Sequence, residues 1–156
     1  MRNNTTVVVD YGVGNLSSIY NALHYLGGAV SVSNSVSEIA NCRRVILPGV
    51  GAFGPAMEKI KKSGLVEVIE SHAIELGKPI LGICLGMQMM CAHSYEHGSH
   101  SGFNWINANV VPFAKYVELR VPHMGWNTVN TRKVDSIFND VDGQDLYFAH
   151  SHFVKD

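Results

Sequence analysis

Short apolar runs alternate with helix-periodic stretches over the first 90 residues. Residues 5–10 (TTVVVD) form a β-branched run that ends at Gly12, Gly14 and Asn15, after which Ile19, Leu23 and Leu26 recur at helical spacing. That order predicts a strand, a glycine turn and a helix. Residues 30–33 form a second apolar stretch, a short polar segment surrounds Glu38, and residues 44–47 (RVIL) run into Pro48-Gly49-Val50-Gly51, again a strand feeding a glycine loop. Leu65, Val68, Ile69, His72, Ala73 and Leu76 fall on one helical stripe that Gly77 and Pro79 stop. Residues 79–83 read as the next strand and residues 85–91 as a helix. Beyond Cys91 a polar, His-rich stretch precedes short strand-like runs at residues 108–113, 116–121, 126–129 and 145–149.

Strands that are apolar throughout, alternating with helices, predict a mostly parallel sheet covered on both faces. The later short runs predict an antiparallel or mixed extension. The expected class is α/β, with residues 1–156 as a single domain, since no repeat, low-complexity segment or linker interrupts the pattern. Such sheets place their sites at the carboxyl ends of the strands. Three segments lie there: residues 10–15, residues 48–54 and Cys84.

Composition narrows the class. At 156 residues and 46% hydrophobic the chain can bury a core, and Lys+Arg 12 against Asp+Glu 13 argues against both disorder and nucleic-acid binding through overall positive charge. No apolar run approaches a membrane span, and Met1-Arg2-Asn3-Asn4 lacks a secretory signal's apolar stretch, so a cytoplasmic location is expected. Three cysteines, Cys42, Cys84 and Cys91, are too few for a disulfide scaffold. On the predicted helix Cys84 and Cys91 stand about 10 Å apart, too far to bridge.

Cys84 has the strongest chemical context. Gly82-Ile83-Cys84-Leu85-Gly86 lies between a buried strand and a helix, the setting of a nucleophile elbow with sulfur in place of oxygen. The glycines admit close backbone approach at the sharp turn. The helix start favours thiolate and aims the Leu85 N–H at a developing oxyanion, and residues 49–51 are the candidate source of a second donor. A buried structural thiol is the alternative.

Gly82-Ile83-Cys84-Leu85-Gly86-Met87-Gln88 resembles the nucleophile motif of the triad (class I) glutamine amidotransferases. Three further segments, Asp10-Tyr11-Gly12-Val13-Gly14-Asn15-Leu16, Leu47-Pro48-Gly49-Val50-Gly51-Ala52-Phe53 and Val121-Pro122-His123-Met124-Gly125-Trp126-Asn127, resemble the glutaminase subunit of imidazole glycerol phosphate synthase in the same order. The resemblance implies a flavodoxin-like three-layer sandwich and hydrolysis of glutamine to glutamate and ammonia, with ammonia passed to a (β/α)8 cyclase partner. It implies Cys84 as the nucleophile that forms a γ-glutamyl thioester, Val50 or Gly51 with Leu85 as the oxyanion hole, and Gln88, His150 and Ser151 as holders of glutamine. It places Asn15, Met124 and Trp126 towards the synthase interface. Histidine biosynthesis and surface-polysaccharide pathways both contain such subunits. No cofactor or metal is needed for thiol-based amide hydrolysis.

In the family the base and its orienting partner lie in a Phe-His-Pro-Glu segment, and no His-x-Glu occurs in these residues. The chain is therefore expected to be carboxy-terminally shortened, without the family's last strands, and to leave a sheet edge open to self-association. General acid–base catalysis contributes about 10²- to 10⁴-fold, so its loss matters. His150 and His152, read as sharing one face of a strand, are substitute bases in one reading. The alternatives are a catalytically silent interaction module and a different cysteine hydrolase on the same fold. Of the remaining features, His93, His97 and His100 read as a solvated loop rather than a metal site, and Lys59, Lys61 and Lys62 as a solvated helix face. Residues 10–15 fit the amidotransferase pattern better than a phosphate-binding turn.

Overall fold

The computed structural model describes residues 4–116, 118, 120–131 and 138–156. Among the described residues ten strands and five α-helices follow in chain order: β1 Thr6–Val9, α1 Leu16–Tyr25, β2 Val30–Ser33, α2 Val36–Asn41, β3 Arg44–Leu47, α3 Phe53–Lys62, α4 Val66–Glu70, β4 Ile80–Gly82, α5 Leu85–Met89, β5 Cys91–Ser94, β6 His100–Ser101, β7 Ile106–Pro112, β8 His123–Thr128, β9 Asp145–His150 and β10 His152–Lys155. Contacts divide them into two compact units, Met1–Val110 with Val154–Asp156, and Val111–Phe153.

The first unit is built on a parallel sheet of order β2-β1-β3-β4. Its strands β1 and β3 are apolar on both faces because helices cover both, whereas the edge strand β2, VSVS, alternates in polarity. Val7, Val9, Val45 and Leu47 point to one face, where Ile39 of α2, Phe53 and Ile60 of α3, Ile69 of α4, and Leu85 and Met89 of α5 close the core. Across the sheet, α1 lies over the face that carries Ile46 and Leu81. This is the expected three-layer α/β arrangement with a mostly parallel sheet. A second, mixed sheet of order β10-β7-β5-β6 follows, in which β5 runs parallel to β7 and antiparallel to β6.

Several elements depart from the sequence pattern. The stripe from Leu65 to Leu76 is α4 followed by a π-helical turn over Ser71–Glu75, with the His72 ring buried. The segment around Glu38 is a helix, capped when the Glu38 N–H donates to Ser35 Oγ at 3.4 Å. The helix expected over residues 85–91 ends at Met89, and Cys91 opens β5. Its terminal carbonyls are claimed by the chain beyond: Phe103 N–H donates to Met89 O, and the Trp105 and Ile106 N–H groups donate to Met90 O. Cys84 and Cys91 therefore do not share a helix, and the His-rich stretch is a β-hairpin with His93 on β5 and His100 on β6.

In the second unit β8 and β9 form a six-pair antiparallel ribbon, with His123 opposite His150 and Trp126 opposite Tyr147. Of the strand expected over residues 116–121, residues 117 and 119 lie outside the described residues, while Tyr116 closes a 3₁₀ turn over Phe113–Lys115. The chain bends at Ser151, so His150 ends one strand and His152 begins another rather than sharing a face of one. No helix among the described residues is long and apolar enough to cross a membrane.

Candidate active site

Cys84 stands between β4 and α5 at φ 54 and ψ −118, the conformation of the first central residue of a type II′ turn, which normally selects glycine. The turn is held by Gly86 N–H donating to Ile83 O and by Met87 N–H donating to Cys84 O, each at 3.0 Å. A Cβ on Gly82 would fall 2.5 Å from Met87 Cα, and one on Gly86 would collide with Leu47 O. The glycine frame is therefore a steric requirement of the elbow. Of the three cysteines Cys84 is the exposed one, while Cys42 and Cys91 are buried, with burial pushing both thiols up. Leu85, the next residue, is the first of α5, and an N–H at that position has no partner within the helix.

The loop after β3 meets this elbow backbone to backbone. Gly49 is the contact: a Cβ there would fall 2.5 Å from Gly86 N and 2.8 Å from Leu85 Cβ. Ile83 N–H donates to Leu47 O at 3.0 Å, locking the strand ends in register. Val50 and Gly51 follow, both exposed, with Gly51 at φ 90. They line a cavity of about 330 Å³ together with Gly12, Gly14 and Lys59. The expected meeting of residues 10–15, residues 48–54 and Cys84 is thus present within the first unit.

Four side chains that sequence reasoning left without a role hold these loops. Tyr11 Oη donates to Pro48 O at 2.7 Å, and Lys59 Nζ donates to Gly12 O at 3.2 Å, so Lys59 is not simply a solvated cation. Phe53 N–H donates to Glu96 Oε2 at 2.7 Å, placing a carboxylate at the start of α3. The His100 ring covers Gly54, where a Cβ would lie 2.7 Å from Cε1. Tyr11 carried a readable signal, because Val7, Val9 and Tyr11 continue the period-two inward alternation. Glu96 carried none, since its partner lies 43 residues away.

Gln88, half-buried, has its N–H bonded to Cys84 O at 3.1 Å. Asn15 caps α1, its Oδ1 accepting from Ser18 N–H at 3.3 Å. Met124 and Trp126 project from one face of the ribbon at 63% and 71% exposure, which places them outside the core. His150 is engaged at both ring nitrogens, with Nδ1 3.1 Å from His152 O and Nε2 2.9 Å from His123 Nδ1. A carbonyl only accepts, so His150 Nδ1 carries the proton and its Nε2 lone pair receives the His123 N–H. Burial, with the His123 charge in support, holds His150 below the usual imidazole value, against the opposing pull of the His152 carbonyl. Its base nitrogen is therefore already occupied. Among the described residues no group of three or more His, Cys, Asp or Glu side chains is placed to hold a metal.

The class-I glutamine amidotransferase family model matches residues 7–156. The imidazole glycerol phosphate synthase subunit HisH of Aquifex aeolicus is 43% identical over 151 residues, 96% of this chain and 72% of that protein. The HisH subunit of Rhodopirellula baltica is 41% identical over 148 residues, 95% of this chain and 72% of that protein. A solved glutamine amidotransferase structure shares the fold at a TM-score of 0.62 and 17% identity, over 78% of this chain and 62% of that one. With the glycine-framed cysteine elbow in place and the family model spanning nearly its whole length, the chain belongs to the class-I glutamine amidotransferases.

Proposed function

We propose that this chain is a glutaminase component of imidazole glycerol phosphate synthase type, acting in histidine biosynthesis in the cytoplasm. Cys84 Sγ attacks the glutamine carboxamide carbon, the C–N bond breaks to release ammonia, and water hydrolyses the γ-glutamyl thioester to glutamate. Negative charge on the carboxamide oxygen is met by the Leu85 N–H and by an N–H of the Val50–Gly51 segment, with Gln88 holding the substrate. The observation that carries this reading is the Cys84 conformation. A cysteine held at φ 54 on a strand-to-helix turn is strained, and such strain is kept where display of the side chain is the use of the turn. The HisH relatives are named as subunits of a synthase, which supports a partner enzyme in general, and in this reading that partner is a (β/α)8 cyclase that receives the ammonia. Asn15 on the first unit and the exposed Met124 and Trp126 on the second are assigned to that contact.

A second reading has its own observation. His150, one of the imidazoles read as a substitute base, has both ring nitrogens engaged, which favours a module that binds the partner without turnover. Glutamate release by wild type and Cys84→Ala, with and without a cyclase subunit, separates the two. The glutaminase reading expects release that rises with the cyclase and vanishes in Cys84→Ala. Complex formation without Cys84-dependent glutamate would establish the binding module instead.

A further inference from the structure

Tyr11 is a buried phenol, 5% exposed, in the loop just beyond β1, and nothing in the proposed chemistry uses it. Its hydroxyl has one proton and two neighbours, Pro48 O at 2.7 Å and Met89 Sδ at 3.6 Å. The carbonyl is nearer and the better acceptor, so the proton goes to Pro48 and the thioether packs against the oxygen. Burial pushes the phenol up to about 12, so it remains a donor throughout the neutral range.

The placement of those two neighbours gives the contact its meaning. The Pro48 carbonyl belongs to the planar Pro48–Gly49 peptide, so fixing the oxygen also fixes the Gly49 N–H and the direction in which the chain enters Val50 and Gly51. Gly49 rests on Gly86 and Leu85 at the nucleophile turn, and Met89 ends the helix that Leu85 begins. Tyr11 therefore reaches both segments proposed to supply oxyanion donors, one through a hydrogen bond and one through a packing contact. Farther along the loop, Phe53 N–H is tied to Glu96, which leaves residues 50–52 as the adjustable stretch between two anchored ends.

We propose that Tyr11 is a positioning residue for the oxyanion site, its hydroxyl setting the spacing between the loop donor at Val50–Gly51 and the Leu85 N–H. The proposal rests on the glutaminase reading. It predicts that loss of the hydroxyl weakens stabilisation of an oxygen held over Cys84 while the thiol itself stays as accessible and reactive as before.

The test separates those two properties in the full chain without requiring turnover. Glutarate semialdehyde, labelled with ¹³C at the aldehyde carbon, adds reversibly to a thiol: the S–C bond forms, the carbonyl π bond breaks, and the thiol proton passes to the oxygen. The resulting thiohemiacetal oxygen occupies the oxyanion position. NMR titration of wild type, Tyr11→Phe and Cys84→Ala measures adduct affinity, and iodoacetamide alkylation of Cys84, a displacement that builds no oxyanion, measures thiol access. The expected result is adduct affinity about tenfold weaker in Tyr11→Phe, the scale of one lost hydrogen bond, with an unchanged alkylation rate. Equal adduct affinity in wild type and Tyr11→Phe overturns the proposal and leaves the glutaminase reading standing. Parallel losses of adduct affinity and alkylation rate also overturn it, because a general loosening of the fold does that. Absence of a Cys84-dependent adduct in wild type removes the glutaminase reading, and the proposal with it.

Discussion

Cys84 adopts a backbone conformation that its own Cβ disfavours, and everything around it is arranged to keep it there. Gly82 and Gly86 leave room for the backbone to pass, and Leu85 is buried in the core on its far side. A non-glycine residue in such a region costs about 1 to 3 kcal/mol, partly offset in a glycine variant by the added entropy of the unfolded chain. Cys84→Gly is therefore expected to be about 1 kcal/mol more stable than Cys84→Ala. Both variants lack the thiol, so the comparison isolates the backbone, and the midpoint of urea unfolding measures it. Equal midpoints would mean that the turn stores no strain at this position.

Individual elements end where tertiary contacts stop them. Residues 85–91 are helix-periodic, yet α5 gives way after Met89 because the N–H groups of Phe103, Trp105 and Ile106 take its last carbonyls. The π-helical turn after α4 buries His72, whose Nε2 lies 3.3 Å from Pro79 O and whose Nδ1 lies 3.9 Å from Cys42 Sγ. Burial holds this imidazole below its ordinary value, with the nearby Lys78 charge in support and the Pro79 carbonyl opposing. The unfolded chain protonates His72 below about pH 6.5 while the folded chain resists, so the unfolded state binds more protons there. The stability that neutral His72 contributes is complete above that pH and is lost as the pH falls through it. Urea midpoints measured from pH 8 to pH 5.5 should drop at the acid end, and His72→Gln should flatten the drop. His150, also held low by burial, contributes in the same direction, so part of the slope remains in that variant.

At the scale of the molecule, the parallel sheet has two unequal faces. Val7, Val9, Val45 and Leu47 are sealed under four helices, whereas on the other face Leu81 is 43% exposed beside a groove of about 270 Å³ shared with Ile19 and Leu23 of α1. Leu47→Ala should cost about 3 kcal/mol through lost burial and the cavity left behind. Leu81→Lys should cost less, about 1 kcal/mol or below, because Leu81 is already 43% exposed and the lysine stem can cover the apolar surface beside it. Chemical unfolding of the two variants checks the contrast, and a large cost at Leu81 would show that this face is covered in solution.

Local pattern made the strand-turn-helix order of β1 to α1 and the strand and glycine loop at β3 readable, because β-branched runs, helical periodicity and glycine turns are properties of adjacent residues. It also made the glycine-framed Cys84 readable, since the elbow's steric demand falls on its immediate neighbours. The end of α5, the hairpin carrying His93 and His100, and the bend that separates His150 from His152 were not readable, because each depends on partners distant in sequence. The inward placement of Tyr11 was readable, but its acceptor at Pro48, 37 residues away, was not, and neither was the Phe53 donor that Glu96 finds 43 residues away. The sequence by itself determined the layered α/β class and the residue on which the chemistry is proposed to turn. Only the tertiary structure decided how the surrounding backbone is held, because a hydrogen bond between distant residues leaves no period in the chain.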